Sequence, residues 1–252
     1  MSDSSAPLAR LKRRLERLER PRARVANLFS LGCAALDMRI GGGLATGALH
    51  EICGKKDEDH ASASGFALML CARASADRPI LWVREDKGDR LHGGLYAPGM
   101  VELGVDPGRL IVVHAPDTLA ALRVGADIVG AMGLGAVVIE PWGAAKALDL
   151  TASRRLVLAC EKSGLAAFVL RDEASGFASA ASTRWQVEAA PSQALPGNAP
   201  GLTALSLTLL RHRGGIAPFE MTLEWNHEDL AFREPALSRD LPAFAERGQM
   251  AA

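Results

Sequence analysis

The residue types with the most chemical potential lie between Glu51 and Leu70, in EICGKKDEDHASASGFALML. An alternating apolar run ends at Gly54, a polar loop follows, and SGFALMLCARA has the composition of a helix. Strand, loop and helix in that order make the frame of a phosphate-binding loop, G-x-x-x-x-G-K-[ST]. Such a loop presents backbone amides to an anion, an ammonium to the β- and γ-phosphates and a hydroxyl to magnesium. Lys55 and Lys56 come too early for that role, and Asp57, Glu58 and Asp59 follow them. Counted forward from Gly54, the second glycine position holds Asp59, the lysine position His60 and the hydroxyl position Ala61. Counted back from the helix, Gly65 takes the glycine position and Phe66 and Ala67 follow it. Neither register supplies the ammonium or the hydroxyl, and the carboxylates put negative charge where a helix N-terminus favours an anion. Gly54, Lys55, Lys56 and Gly65 are therefore read as a degenerate nucleotide loop, able to hold ATP only through backbone amides and Lys55 or Lys56.

Other chemistry is weaker still. The run VVIEPWG places Glu140 at the end of an apolar strand, where a carboxylate orients magnesium, caps the next helix or pairs with an arginine. Arg84, Glu85 and Asp86 follow the apolar run ILWV, but a base with no anchored phosphate has no held water to activate. The six histidines are scattered, and DEDH at 57–60 has metal-binding residue types without a second ligand cluster. The serines of GFASAASTRW have no partnered His and Asp. No catalytic residue, metal site or cofactor is assigned, and hydrolysis is not expected.

The elements that must position these residues can be read from composition and periodicity. At 252 residues the chain is long enough for one large domain or two small ones, and its 29 Lys+Arg balance 29 Asp+Glu. No global basic field argues for nucleic acid. Locally, residues 8–24 hold eight Arg or Lys against Glu16 and Glu19. In LARLKRRLERLERPRAR the residues Leu8, Leu11, Leu15 and Leu18 form one stripe, a short amphipathic helix stopped by Pro21. Two heptads are too few for a stable coiled coil, so the stripe must dock, on its own domain or on a partner or neighbouring protomer. The opposite face, with Arg13, Arg14 and Arg17, is a candidate anion or DNA contact.

From residue 28 onward, apolar runs in GALHEIC, RPILWV, RLIVVHA, GAVVIEP and LAAFVLR alternate with helical patterns at about 63–76, 90–104, 117–132 and 145–162. Continuous apolar strands separated by helices predict an α/β fold with a mostly parallel central sheet and helices on both faces. STRWQVEAA then reads as a strand, and LTALSLTLLRHRGGIAPFEMTLEW as a C-terminal antiparallel hairpin extending the sheet. The expected organisation is a basic arm at 1–24, a core domain at 25–232 and a tail at 233–252. The cysteines Cys33, Cys53, Cys71 and Cys160 form no C-x-x-C pair, which points to a reducing compartment. No apolar run approaches a membrane span, and the basic N-terminus lacks the apolar stretch of a signal peptide, so a cytoplasmic location is expected.

The order of these pieces resembles the RecA-like core. SLGCAALDMRIGGGLATGALHEICG is similar to the segment leading into the phosphate loop, and LGVDPGRLIVVHAPDT to the next strand and its helix cap. GAVVIEPWG falls at the Walker B strand, which makes Glu140 the Walker B-like residue, and the hairpin falls at the closing strands. Within that superfamily the SLG…LD…GGGL…G…HEI segment, the missing loop lysine, the LRHRGG turn and the LEW strand resemble the ImuA family. The resemblance implies a RecA-like and SulA-like accessory factor in SOS-induced, error-prone translesion synthesis. It would bind ImuB and an error-prone DNA polymerase, with RecA as a further partner and a weak contact to DNA. Arg211 and Arg213, on the hairpin turn, correspond to a basic pair that reaches a neighbouring protomer's phosphates in that superfamily. The alternative is a divergent ATP-dependent enzyme that binds single-stranded DNA. A SulA-like regulator of the division GTPase has fold kinship alone behind it.

Overall fold

The computed structural model describes residues 27–88, 93–129, 133–143, 145–172, 178–192, 199 and 201–235. The arm, with Leu8, Leu11, Leu15, Leu18, Arg13, Arg14 and Arg17, lies outside the described residues, as does the tail from 236. In chain order the elements are β1 (Leu28–Phe29), α1 (Ala34–Arg39), β2 (Leu44–Ala45), β3 (Leu49–Gly54), α2 (His60–Ser75), β4 (Ile80–Glu85) and α3 (Ala97–Glu102). There follow β5 (Leu110–Ala115), α4 (Thr118–Val129), β6 (Ala136–Glu140), α5 (Leu150–Ser163), β7 (Ala166–Arg171), β8 (Thr183–Ala190), β9 (Ala204–His212), β10 (Phe219–Asn226) and β11 (Ala231–Arg233).

Nine strands form one sheet in the order β11-β10-β9-β8-β3-β7-β6-β4-β5, and β1 and β2 make a separate two-stranded ribbon. The pairs from β8 through β5 are parallel. Those joining β8, β9, β10 and β11 are antiparallel. This is the mostly parallel α/β sheet with an antiparallel C-terminal extension that the sequence predicts for a RecA-like core. β3, β4, β6 and β7 are buried along their whole length, because helices cover both faces, and so their sequences run continuously apolar.

Alternation divides those strands between two cores. Ile80 and Trp82 of β4, with Val138 of β6 and Phe168 of β7, face α2 and the side chains of β8–β11. Leu81, Val83, Val137, Ile139 and Val169 face α4 and α5. On the α2 side, Phe66 meets Trp185 and Phe232 at ring-centroid distances of 6.1 and 5.6 Å, and Trp225 packs on Phe232 at 4.8 Å. The hairpin leucines Leu205, Leu207 and Leu209 enter the same core with Leu223 and Trp225.

Some boundaries differ from the periodicity. α5 begins at Leu150 rather than near 145, because the Asp149 carboxylate accepts a hydrogen bond from the Ala152 amide at 2.7 Å and fixes the N-cap there. α3 is short, with Pro98 in its first turn. α2 begins at His60, preceded by a single 3₁₀ turn at Asp57–Asp59. All four cysteines are buried and unbridged. No helix among the described residues is long and apolar enough to cross a membrane.

Candidate functional site

β3, β4, β6 and β7 are parallel, so their carboxyl ends share one edge of the sheet, the usual ligand crevice of an open α/β fold. Gly54, Glu85, Glu140 and Arg171 end these four strands. The loop leaving β3 closes on itself. The Lys55 amide donates to the Val187 carbonyl at 2.9 Å, and the Asp59 amide to the Lys56 carbonyl at 3.0 Å. The Lys56 amide donates to the Asp59 carboxylate at 3.2 Å, and the same carboxylate accepts from the Ala189 amide at 3.3 Å. A phosphate cradle would turn such amides toward an anion. Here they are spent on the chain. A methyl group on Gly54 would lie 2.7 Å from the Lys56 carbonyl oxygen, so glycine is required by the tight closure.

Neither lysine points its charge into a cradle. Lys55 Nζ lies 2.6 Å from Glu188 on β8, which raises the ammonium's pKa, and Lys56 Nζ lies 3.4 Å from Glu58. Gly65, expected as a loop glycine in the second register, lies inside α2, because the helix starts five residues before it. The helix starts at His60, the residue that the first register sets at the lysine position.

His60 is the centre of the site. Its Nε2 lies 3.0 Å from Glu140 Oε1, and its Nδ1 lies 3.5 Å from Asp172 Oδ1. Burial alone would lower its pKa, but hydrogen bonds to Asp172 and Glu140 and their charges outweigh burial and raise it to about 9. The imidazole is therefore a cation at neutral pH, held between two carboxylates. Glu140 also accepts from Trp82 Nε1 at 2.6 Å, from Arg84 Nε at 2.6 Å and from Arg84 Nη2 at 3.0 Å. Burial pushes the Glu140 pKa up, whereas His60, Arg84 and Trp82 pull it down and prevail. Of the roles open to Glu140 in the sequence, the pairing with an arginine is the one formed.

The other carboxylates at this edge are engaged as well. Glu85 Oε2 accepts from Thr118 Oγ1 at 2.7 Å and from the Trp142 amide at 3.1 Å. Asp172 accepts from the Gly143 amide at 2.6 Å. One layer deeper, Glu51 is 1% exposed and bridges Arg171 at 2.9 Å and Arg184 at 2.7 Å. These ion pairs tie α2, β3, β4, β6, β7 and β8 together at the carboxyl edge of the parallel strands.

The remaining space is small on one side and large on the other. Between Gly54, Lys56, Trp142, Arg171 and Asp172 there is a pocket of about 130 Å³, below the roughly 300–1,000 Å³ of ligand pockets. On the far side of His60 a groove of about 510 Å³ runs along α2 toward α3. Arg211 and Arg213 are remote from both. β9 runs antiparallel to β8, so its terminal turn lies at the opposite end of the sheet. Arg211 Nη1 donates to the Ser179 carbonyl at 2.7 Å, and Arg213 Nη1 to the Ala180 carbonyl at 3.3 Å, which folds both guanidinium groups onto the chain.

Sequence reasoning missed Asp172 and the Glu51, Arg171 and Arg184 cluster. The available signal was charge on buried strands: Glu51 interrupts ALHEIC, and Arg84 and Arg171 end apolar runs.

Two curated relatives are similar to this chain. Each is named Protein ImuA, one from Caulobacter vibrioides strain NA1000 / CB15N and one from strain ATCC 19089 / CIP 103742 / CB 15. Each is 36% identical over 191 residues, a span that covers 69% of this chain and 74% of the relative. No family model matches the chain.

Proposed function

The chain belongs to the ImuA family, and from that premise we propose that it is a non-catalytic RecA-fold accessory protein of error-prone translesion synthesis. In this reading it binds ImuB and the associated error-prone DNA polymerase, with a RecA protomer as a further partner.

One observation carries the non-catalytic part. The position of the phosphate-anchoring lysine is held by His60, whose charge is consumed by Glu140 and Asp172. A protonated imidazole between two carboxylates replaces, inside the protein, the contacts that phosphates and magnesium would make with an ATPase. An incoming triphosphate would have to break those pairs and also reopen the loop amides. Accelerating phosphoryl transfer depends on positioned cations and an oriented water, and neither has an anchor in this arrangement. What the fold retains is a continuous nine-stranded sheet covered by helices, a frame on which other proteins can dock.

The test is capture of purified ImuB by the tagged full chain, with and without ATP and magnesium. A complex that forms equally in both conditions is expected. A complex that requires ATP, or none at all, would overturn the accessory reading.

A further inference from the structure

The 510 Å³ groove beside His60 is not explained by the self-filled site. Its floor is apolar, made by Leu68, Trp82, Met100 and Leu103, and its lip carries the exposed carboxylates of Asp57 and of Glu58, the latter 3.4 Å from Lys56 Nζ. Tyr96 stands at the edge with 71% of its surface exposed. Gly65 lies on the groove side of α2, where an added methyl group would meet nothing within 4 Å. Glycine inside a helix is less favourable than alanine, and no neighbour among the described residues needs the space. The gap admits close approach of another element.

The sequence contains a segment of matching chemistry. Residues 8–20 carry Leu8, Leu11, Leu15 and Leu18 on one stripe and a surplus of arginine and lysine elsewhere, complementary to an apolar floor with an acidic lip. A helix this short is marginal in water unless its apolar face is covered. Its root is also close. Arg73 Nε, near the C-terminal end of α2, donates to the Ser30 carbonyl at 2.8 Å. Arg73 is eight residues along the helix from Gly65, a rise of about 12 Å. The residues between Leu18 and Asn27 span up to about 30 Å when extended, which is ample for the return.

We propose that the groove seats the chain's own leucine-striped arm, residues 8–20, across Gly65, with its basic side chains facing Asp57 and Glu58. The groove holds a few aliphatic side chains and not a whole helix, so the arm lies over the opening with its leucines inside. Of the docking sites the stripe admits, this one is on its own domain. Arm docking is a property of the free chain, independent of which partner the protein meets.

Hydrogen exchange on the full-length chain tests this directly. Amides of residues 8–20 are expected to be protected in the unaltered chain, and protection falls by about tenfold or more when Gly65→Leu fills the gap. The exposed pair Asp57→Lys and Glu58→Lys weakens it without touching the core, and added salt does the same. Unprotected arm amides in the unaltered chain would overturn the proposal and leave the groove to a partner protein or small ligand. Equal protection in both sets of variants would overturn it too. Protection that rises with concentration, together with a dimer in sedimentation, would replace the chain's own arm by that of a second copy.

Discussion

Replacing His60 by glutamine removes a cation from between Glu140 and Asp172 while keeping a hydrogen-bonding side chain of similar reach. The His60 pKa is raised in the fold to about 9, against 6.5 for the free side chain. A group whose pKa rises on folding contributes stability that is fully present below the unfolded value. That stability is lost as pH rises through the folded value. At ~1.4 kcal/mol for each tenfold change in proton affinity, the protonated imidazole is worth about 3 kcal/mol below pH 6.5 and somewhat less at pH 7. With side chains only 9% and 4% exposed for His60 and Glu140, solvent screening removes little of this. The assay is urea denaturation of both proteins at intervals between pH 6 and 10. At pH 7, His60→Gln should lose about 2–3 kcal/mol, and the gap between the two curves should close by pH 10. His50 does not interfere, because burial lowers its pKa to about 4, so its contribution is present above 6.5 and is lost only as pH falls. Two curves that stay parallel from pH 6.5 to 10 would refute the account of His60 as a buried cation.

Three further outcomes follow from the same geometry. Arg171→Ala leaves Glu51 buried with one partner fewer and should destabilise the chain by about 3–5 kcal/mol in urea titrations, whereas replacing all three charges together, Arg171→Met with Glu51→Leu and Arg184→Met, should recover much of that loss. Lys55→Ala with Lys56→Ala removes two surface pairs, so the unfolding midpoint should stay where it is. In the native protein a thiol reagent such as Ellman's should react with none of Cys33, Cys53, Cys71 and Cys160, and with all four after denaturation. Burial supports this by pushing the Cys53 and Cys160 thiols up to about 12.

The sheet was legible in the sequence because strands buried on both faces must be apolar throughout, as ILWV, VVI and FVL are, and because Leu205, Leu207 and Leu209 alternate where one face is buried. The departure of the loop at Gly54 from G-x-x-x-x-G-K-[ST] was legible too, since it rests on residue types at fixed positions. The ion pairs beside it were not. His60 and Glu140 are 80 residues apart, and Glu51 and Arg184 are 133 apart, so no local pattern joins them. They meet because parallel strands bring their carboxyl ends to one edge, and the strand order that does so is a tertiary property. Gly65 illustrates the converse. It looks like a loop glycine by type, yet α2 extends back to His60, and its meaning comes from the groove it faces.

The central claim is that this chain fills its own nucleotide site. Isothermal calorimetry of the full-length protein with ATP and magnesium at millimolar concentration tests it most directly. The account predicts no saturable heat, for the unaltered chain and for Lys55→Ala with Lys56→Ala alike. Saturable binding that weakens when Lys55 and Lys56 are replaced would contradict it, and would return the protein to the ATP-dependent class.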